Sequence, residues 1–256
     1  MTSLLSVENC TLRFGGLTAV NNLNLNLAKG ELMAVIGPNG AGKTTFFNML
    51  TGVYEPTEGR LLFSTQSLVG LSPDKINRLG IARTFQNIRL FSNLTVRDNV
   101  RVAFYTHNKT SLMDAAFGKR SVALIEEEIE QKTTALLELF HLSAKKDECS
   151  VDLPYGDQRR LEIVRALVTE PQLLLLDEPA AGMNSAEKKE LVELIKRIHV
   201  ERNLAIILIE HDMQVVMTIA PRILVLDYGV KIAEGTPEEI RKNPEVIKAY
   251  LGDVTT

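Results

Sequence analysis

The stretch Gly37-Pro38-Asn39-Gly40-Ala41-Gly42-Lys43-Thr44 constrains this chain more than any other. It reads G-x-x-x-x-G-K-[ST], a pattern whose backbone N–H groups curl into a nest for phosphate oxygens. The pattern needs a strand before it and a helix after it. The apolar run 32–36 supplies the strand, and 45–50, opening on Thr45, has helical character. The helix N-terminus adds positive partial charge toward an anion. The glycines allow backbone conformations and close approaches that a side chain would block. In this reading Lys43 reaches the β- and γ-phosphates, and the Thr44 hydroxyl ligates Mg²⁺. The bland alternative is an ordinary glycine-rich turn.

With 256 residues, the chain is at the upper edge of what one core serves. One domain over residues 4–252 with an inserted subdomain is therefore expected. A net charge of −3 argues against general nucleic-acid binding through a basic face. Aromatic residues make up only 5% and Trp is absent, which disfavours a stacking groove for single strands or sugars. Cys10 and Cys149 lie far apart, without C-x-x-C spacing, as free thiols in a reducing cytosol would. The first residues lack a secretion-signal pattern, and no apolar run approaches a membrane span. The expectation is a soluble protein that another chain must hold if it works at a membrane.

Patterning along the chain gives the layout. Leu23, Leu25 and Leu27 alternate with Asn22, Asn24 and Asn26, a period of two with one buried face. Strands 4–7, 10–14 and 19–27 thus read as an antiparallel β-layer beside a parallel core. A short helix opens at Pro73, and 81–85 is a strand leading to Gln86. Residues 96–104 and 123–140 are helical, the second with Glu126-Glu127-Glu128 as an acidic opening suited to a helix N-terminus. Between them, 106–121 is polar and basic without a firm period. Residues 87–156 are read as an inserted helical subdomain, with 1–86 and 157–252 forming the core. Helices at 157–168 and 186–202 and apolar strands at 173–176 and 204–209 rebuild the α/β alternation.

The run 173–176 ends in Asp177-Glu178. Ligand sites of parallel α/β sheets lie beyond the carboxyl ends of strands. Asp177 is expected to support Mg²⁺ there, and Glu178 to polarise the water that attacks the γ-phosphate. Taken alone, the pair could equally cap a loop.

With these residues assembled, the chain resembles the ABC-type ATPases, the nucleotide-binding subunits of ABC transporters, over nearly its whole length. The resemblance implies a RecA-like P-loop NTPase core with an antiparallel β-layer and an inserted helical subdomain, binding ATP and Mg²⁺. It implies that Phe14 stacks on adenine and Val20 packs the same base. It makes Gln86 the glutamine linking the Mg²⁺ site to the helical subdomain, and His211 the histidine sensing the γ-phosphate. Without the other motifs, Gln86 would pass as a solvated loop residue and His211 as a strand-end cap. The family signature, usually LSGGQ, falls on Leu153-Pro154-Tyr155-Gly156-Asp157, fixed by the Gln158–Leu167 stretch after it. Tyr155, Gly156 and Asp157 are implied to touch ATP held by another chain. Pro154 replaces the family serine and brings neither hydroxyl nor N–H. Helix N-terminal amides near Gly156 could still hold the phosphate. Asn184 stands where the family's D-loop has Asp.

Three strings (83–91, 155–162 and 178–184) are similar to the branched-chain amino-acid importer class, and the segment after Phe104 to the longer of its two ATPases. The resemblance implies a second ATPase chain, as heterodimer or homodimer, two membrane permeases and an extracytoplasmic binding protein. It implies a peripheral position on the cytoplasmic face of the inner membrane. Related urea, amide or lipopolysaccharide systems share the same motifs. The rival class is a soluble ABC ATPase acting on DNA or ribosomes. It predicts paired ATPase domains, a coiled-coil arm or a basic surface.

Overall fold

A computed structural model describes residues 3–107 and 119–251. Among these, the strands form two sheets. The larger contains β3 (Leu32–Ile36), β6 (Ile81–Arg83), β7 (Leu173–Asp177), β8 (Ala205–Ile209), β9 (Arg222–Asp227) and β10 (Val230–Gly235), in the order β10-β9-β3-β8-β7-β6. All its pairings are parallel except β10 on β9. β3, β7 and β8 are buried at every residue, so they need no polar alternation. Alternate residues still serve different layers. Leu174 and Leu176 face the core shared with the helical region, while Leu173 and Leu175 face the core under the second sheet.

That second sheet is antiparallel, built from β1 (Ser3–Phe14), β2 (Leu17–Ala28), β4 (Glu58–Phe63) and β5 (Gln66–Ser67) in the order β2-β1-β4-β5. The period-two reading of β2 holds. Leu23, Leu25 and Leu27 are buried, and Leu25 and Leu27 pair opposite Val7 and Leu5. Helix α1 (Lys43–Leu50), which follows the glycine loop, inserts Phe46 and Phe47 into this core. Burying side chains of this size contributes roughly 1.5–3 kcal/mol each. The loop is thereby seated on a fully packed helix.

Among the described residues the remaining α-helices are α2 (Pro73–Arg78), α3 (Val96–His107), α4 (Lys119–Leu139), α5 (Tyr155–Leu167), α6 (Ser185–Arg202), α7 (Met213–Ile219), α8 (Pro237–Lys242) and α9 (Pro244–Leu251). The acidic run 126–128 does not open a helix, because α4 already begins at Lys119. Those acids instead pair laterally, Glu126 with Arg101 and Tyr105, Glu128 with Lys132. Of the polar stretch 106–121, residues 108–118 lie outside the described residues. Helix α5 runs across the 156/157 boundary. Val96, Val100 and Leu136 share one apolar cluster with Leu161 and Leu174, so the helical region packs continuously onto the sheet.

Candidate active site

The glycine loop connects β3 to α1 as its pattern requires. Gly37, Gly40 and Gly42 have φ of 151°, 79° and 97°. At Gly37 a Cβ would come within 2.0 Å of the Leu226 carbonyl oxygen, so only glycine fits beside β9. Lys43 is buried and its Nζ donates to the carbonyls of Gly37 and Pro38 at 2.7 and 2.8 Å. Burial lowers its pKa, while the carboxylates of Glu178 and Asp177 oppose the shift. The loop thus holds a cation at its centre on its own carbonyls.

A cleft of about 450 Å³ opens over this loop. Asn39, Gly40, Ala41, Gly42, Lys43, Thr44 and Thr45 form its floor, with Gln86 and Glu178 on one side and Phe14 on another. Gly37 and Pro38 lie outside the lining and act through their carbonyls on Lys43. Phe14 is 43% exposed and held edge-on by Tyr54, ring centroids 5.0 Å apart. Val20 does not line the cleft. It is fully buried behind Gly42, and Leu17, Thr18 and Ala19 take the cleft wall instead. Val20 and Leu23 are three residues apart, so plain alternation would put them on opposite faces. The left-handed Asn22, φ 48°, and the register shift against β1 between Cys10 and Leu12 bring both into the same core.

Asp177 and Glu178 diverge at the end of β7. Asp177 is buried, and its Oδ2 accepts from Arg83 Nη2 at 2.8 Å. Burial raises its pKa; the Arg83 guanidinium pulls the other way. It therefore stands behind the cleft wall, not on it. Glu178 turns outward through a left-handed backbone, φ 49°, held by its N–H on the Ile209 carbonyl at 2.9 Å. A non-glycine residue held there is strained, and such positions gather at functional sites. Its Oε2 accepts from Gln86 Nε2 at 3.1 Å and lies 3.5 Å from His211 Nδ1. The glutamine, carboxylate and histidine expected from separate motifs thus meet at one oxygen.

Several connectors escaped the sequence reading. Arg83 also donates to Asn48 of α1 at 2.7 Å and lies over the Phe47 and Phe85 rings. Arg159 of α5 donates to the carbonyl of Phe85 at 2.7 Å and to that of Gln86. Glu162 accepts from the Phe85 N–H at 3.3 Å, so the segment before Gln86 is strapped to α5. Glu210 is buried and accepts from the N–H groups of Ala180, His211 and Asp212 at 2.8, 3.2 and 3.4 Å. Burial raises its pKa against those bonds. The available signal was a charged residue beside an apolar run, since such a residue is rarely buried unless paired.

Tyr155, Gly156 and Asp157 do not line the cleft. They form the first turn of α5, with Pro154 as its N-cap. The Tyr155 hydroxyl accepts from Arg159, and Asp157 pairs with Lys145 at 2.5 Å. Asn184 caps α6, accepting from Ala186 and Glu187 N–H groups in a capping box. Asn serves that role as well as Asp does.

A glycine loop with a buried lysine, on a parallel sheet and facing a strand-end carboxylate, defines a P-loop nucleotide hydrolase. Residues 20–181 match the family model described as ABC transporter, and residues 230–255 match that described as Branched-chain amino acid ATP-binding cassette transporter. The chain belongs to the ABC transporter family and is one of its ATPase subunits. It is 50% identical to the high-affinity branched-chain amino acid transport ATP-binding protein LivG of Escherichia coli K12, over 98% of each chain. It is 45% identical to BraF of Pseudomonas aeruginosa, over 98% of each chain. The fold is similar to the ADP conformation of an ATP-binding cassette of an ABC transporter, with TM-score 0.85, 28% identity, and 99% and 100% of the two chains covered. It is also similar to cbiO1 of Clostridium perfringens, with TM-score 0.81, 28% identity, and 97% and 94% covered.

Proposed function

We infer that this chain hydrolyses ATP to drive import of branched-chain amino acids, as one of two ATPase chains beneath a pair of membrane permeases fed by an extracytoplasmic binding protein. The convergence of Gln86 and His211 on Glu178 at the mouth of the phosphate cleft carries the catalytic reading. The names of the relatives support the substrate. No helix of the described residues is long and apolar enough to cross a membrane, so attachment at the cytoplasmic face would come through the permeases.

Lys43, Thr44, Thr45 and the loop amides bind the β- and γ-phosphates. Phe14 offers a ring face to the base. Glu178 accepts a proton from the attacking water. His211 and Gln86 fix the carboxylate and the γ-phosphate relative to each other. Thr44 and Gln86 would offer oxygen donors to a cation in the cleft, with Asp177 supporting the site from behind the wall, a donor set that suits Mg²⁺. Among the described residues no three His, Cys, Asp or Glu gather as a metal site, so phosphate oxygens would complete the shell. When bound, Mg²⁺ neutralises charge on the β- and γ-oxygens. Residues 87–156 act as the helical subdomain within one 4–252 unit. The Asp157 and Gln158 N–H groups bond to the Pro154 carbonyl at 3.0 Å, so it is the Tyr155 and Gly156 amides of the first turn of α5 that would be offered to ATP on a second, head-to-tail chain. The test is reconstitution with the permeases and binding protein. ATP hydrolysis should rise when leucine-loaded binding protein is added, and an unchanged rate would refute the substrate.

A further inference from the structure

The connection between β9 and β10 is the two-residue turn Tyr228-Gly229, with φ of 43° and 78°. Positive φ at both positions is the type I′ hairpin, which favours Asn, Asp or Gly at the first. Tyr228 is a bulky residue held in that strained conformation, yet it is 86% exposed, so the protein core does not recruit its ring. The turn is pinned on both sides. The Gly229 N–H donates to the Ala41 carbonyl at 3.0 Å, and the Gly229 carbonyl accepts from the Asn21 N–H at 2.8 Å. A Cβ at Gly229 would meet the Ala19 oxygen at 2.6 Å, so the backbone sits directly on the β-layer. Tyr228 therefore has a fixed place in the wall of the phosphate cleft that Phe14 also lines.

We propose that Tyr228 is a nucleotide-contacting residue, a second aromatic wall that packs on the base-and-ribose half of the nucleotide beside the phosphate loop. This deepens the nucleotide reading of the cleft and rests on it. The hairpin accounts for the backbone at Tyr228 but does not call for an aromatic ring there, since Asn, Asp or Gly suits the turn better. A flat aromatic surface in this cleft suits a base, whose face stacks on aromatic rings whatever its edge. Because Gly229 is bonded to Ala41, the ring keeps its register with the loop.

The experiment is isothermal titration calorimetry of the full chain with ADP and, separately, with tripolyphosphate, which has no base. The variants are Tyr228→Asn and Tyr228→Phe. Asn tolerates this turn, so the first variant should melt at or above the wild-type temperature, and lost binding cannot be blamed on misfolding. Tyr228→Asn should weaken ADP about tenfold or more while leaving tripolyphosphate unchanged. Tyr228→Phe should stay near wild type. Wild-type ADP affinity in Tyr228→Asn overturns the proposal. Equal weakening of ADP and tripolyphosphate does so too, since the turn would then act through Ala41. Unchanged ADP affinity with loss of ATP-driven pairing to a second chain assigns the ring to a protein interface instead. Wild-type protein that binds neither ligand brings down the cleft reading itself.

Discussion

The glycine loop and the signature turn both place glycine beside a helix N-terminus, but for different reasons. Gly37 is demanded by its own chain, because a Cβ would strike the Leu226 carbonyl at 2.0 Å. Gly156 has ordinary helical backbone, and a Cβ there would meet only the end of the flexible Glu187 side chain at 3.0 Å. Among the described residues, no backbone contact requires glycine at 156. The loop is likewise closed on itself through Lys43, whereas the signature turn lies outside the cleft. One half of the site is complete within the chain; under the proposed function the other half would serve ATP held by a second chain. Binding would then belong to the single chain, and hydrolysis to a pair.

The largest effect should come from Glu178→Gln, which keeps shape but removes the anionic acceptor. Phosphate release should fall about a hundred- to ten-thousandfold. ATP affinity should persist, and ATP should hold two chains together on size exclusion with light scattering, or this chain with its partner ATPase. Loss of affinity along with rate would assign Glu178 to the loop half.

Next, the two glycines can be set against each other directly. Gly37→Ala should lose about 3 kcal/mol or more in urea unfolding and bind ADP poorly, since backbone strain and overlap cannot relax. Gly156→Ala should unfold within about 1 kcal/mol of wild type and keep ADP affinity, because Ala is at least as good in a helix. Its ATP hydrolysis should nonetheless drop. Full activity in Gly156→Ala would erase the contrast between the two halves.

Pro154→Ser adds a hydroxyl at the N-cap of α5. It should strengthen ATP-driven pairing by roughly 1.5–3 kcal/mol, one hydrogen bond to a charged phosphate. Added stability of the single chain without tighter pairing would make it a local cap only.

The smallest effect concerns Glu210, which ties the segment after Glu178 to His211. Its carboxyl is raised by burial from the ordinary 4.5. A raised folded value means the stability it contributes is full below 4.5 and is lost as pH rises through the folded value. Glu210→Gln should remove that slope. It leaves one N–H less well paired, a constant loss of about 1–3 kcal/mol. The gap between wild type and variant in urea unfolding should therefore be wider at pH 5 than at pH 8. A constant gap would show that Glu210 does not titrate on folding.

What the sequence determined by itself was local. The G-x-x-x-x-G-K-T spacing placed the loop, the apolar run 173–176 placed a buried strand ending in Asp177-Glu178, and the Leu–Asn alternation placed the β-layer. Each is a short-range pattern with a period or spacing that the backbone imposes. Helix starts were less legible, as the acids of α4 show, because lateral ion pairs look like first-turn charges in one dimension. Tertiary structure decided the rest. Val20 went inward and Asp177 behind the wall. Arg83, 94 positions away, became the partner of Asp177, and Arg159 and Glu162 clamped the segment leading to Gln86. These pairings depend on β3, β8, β7 and β6 lying side by side in that order, and no local periodicity encodes the order of strands in a sheet.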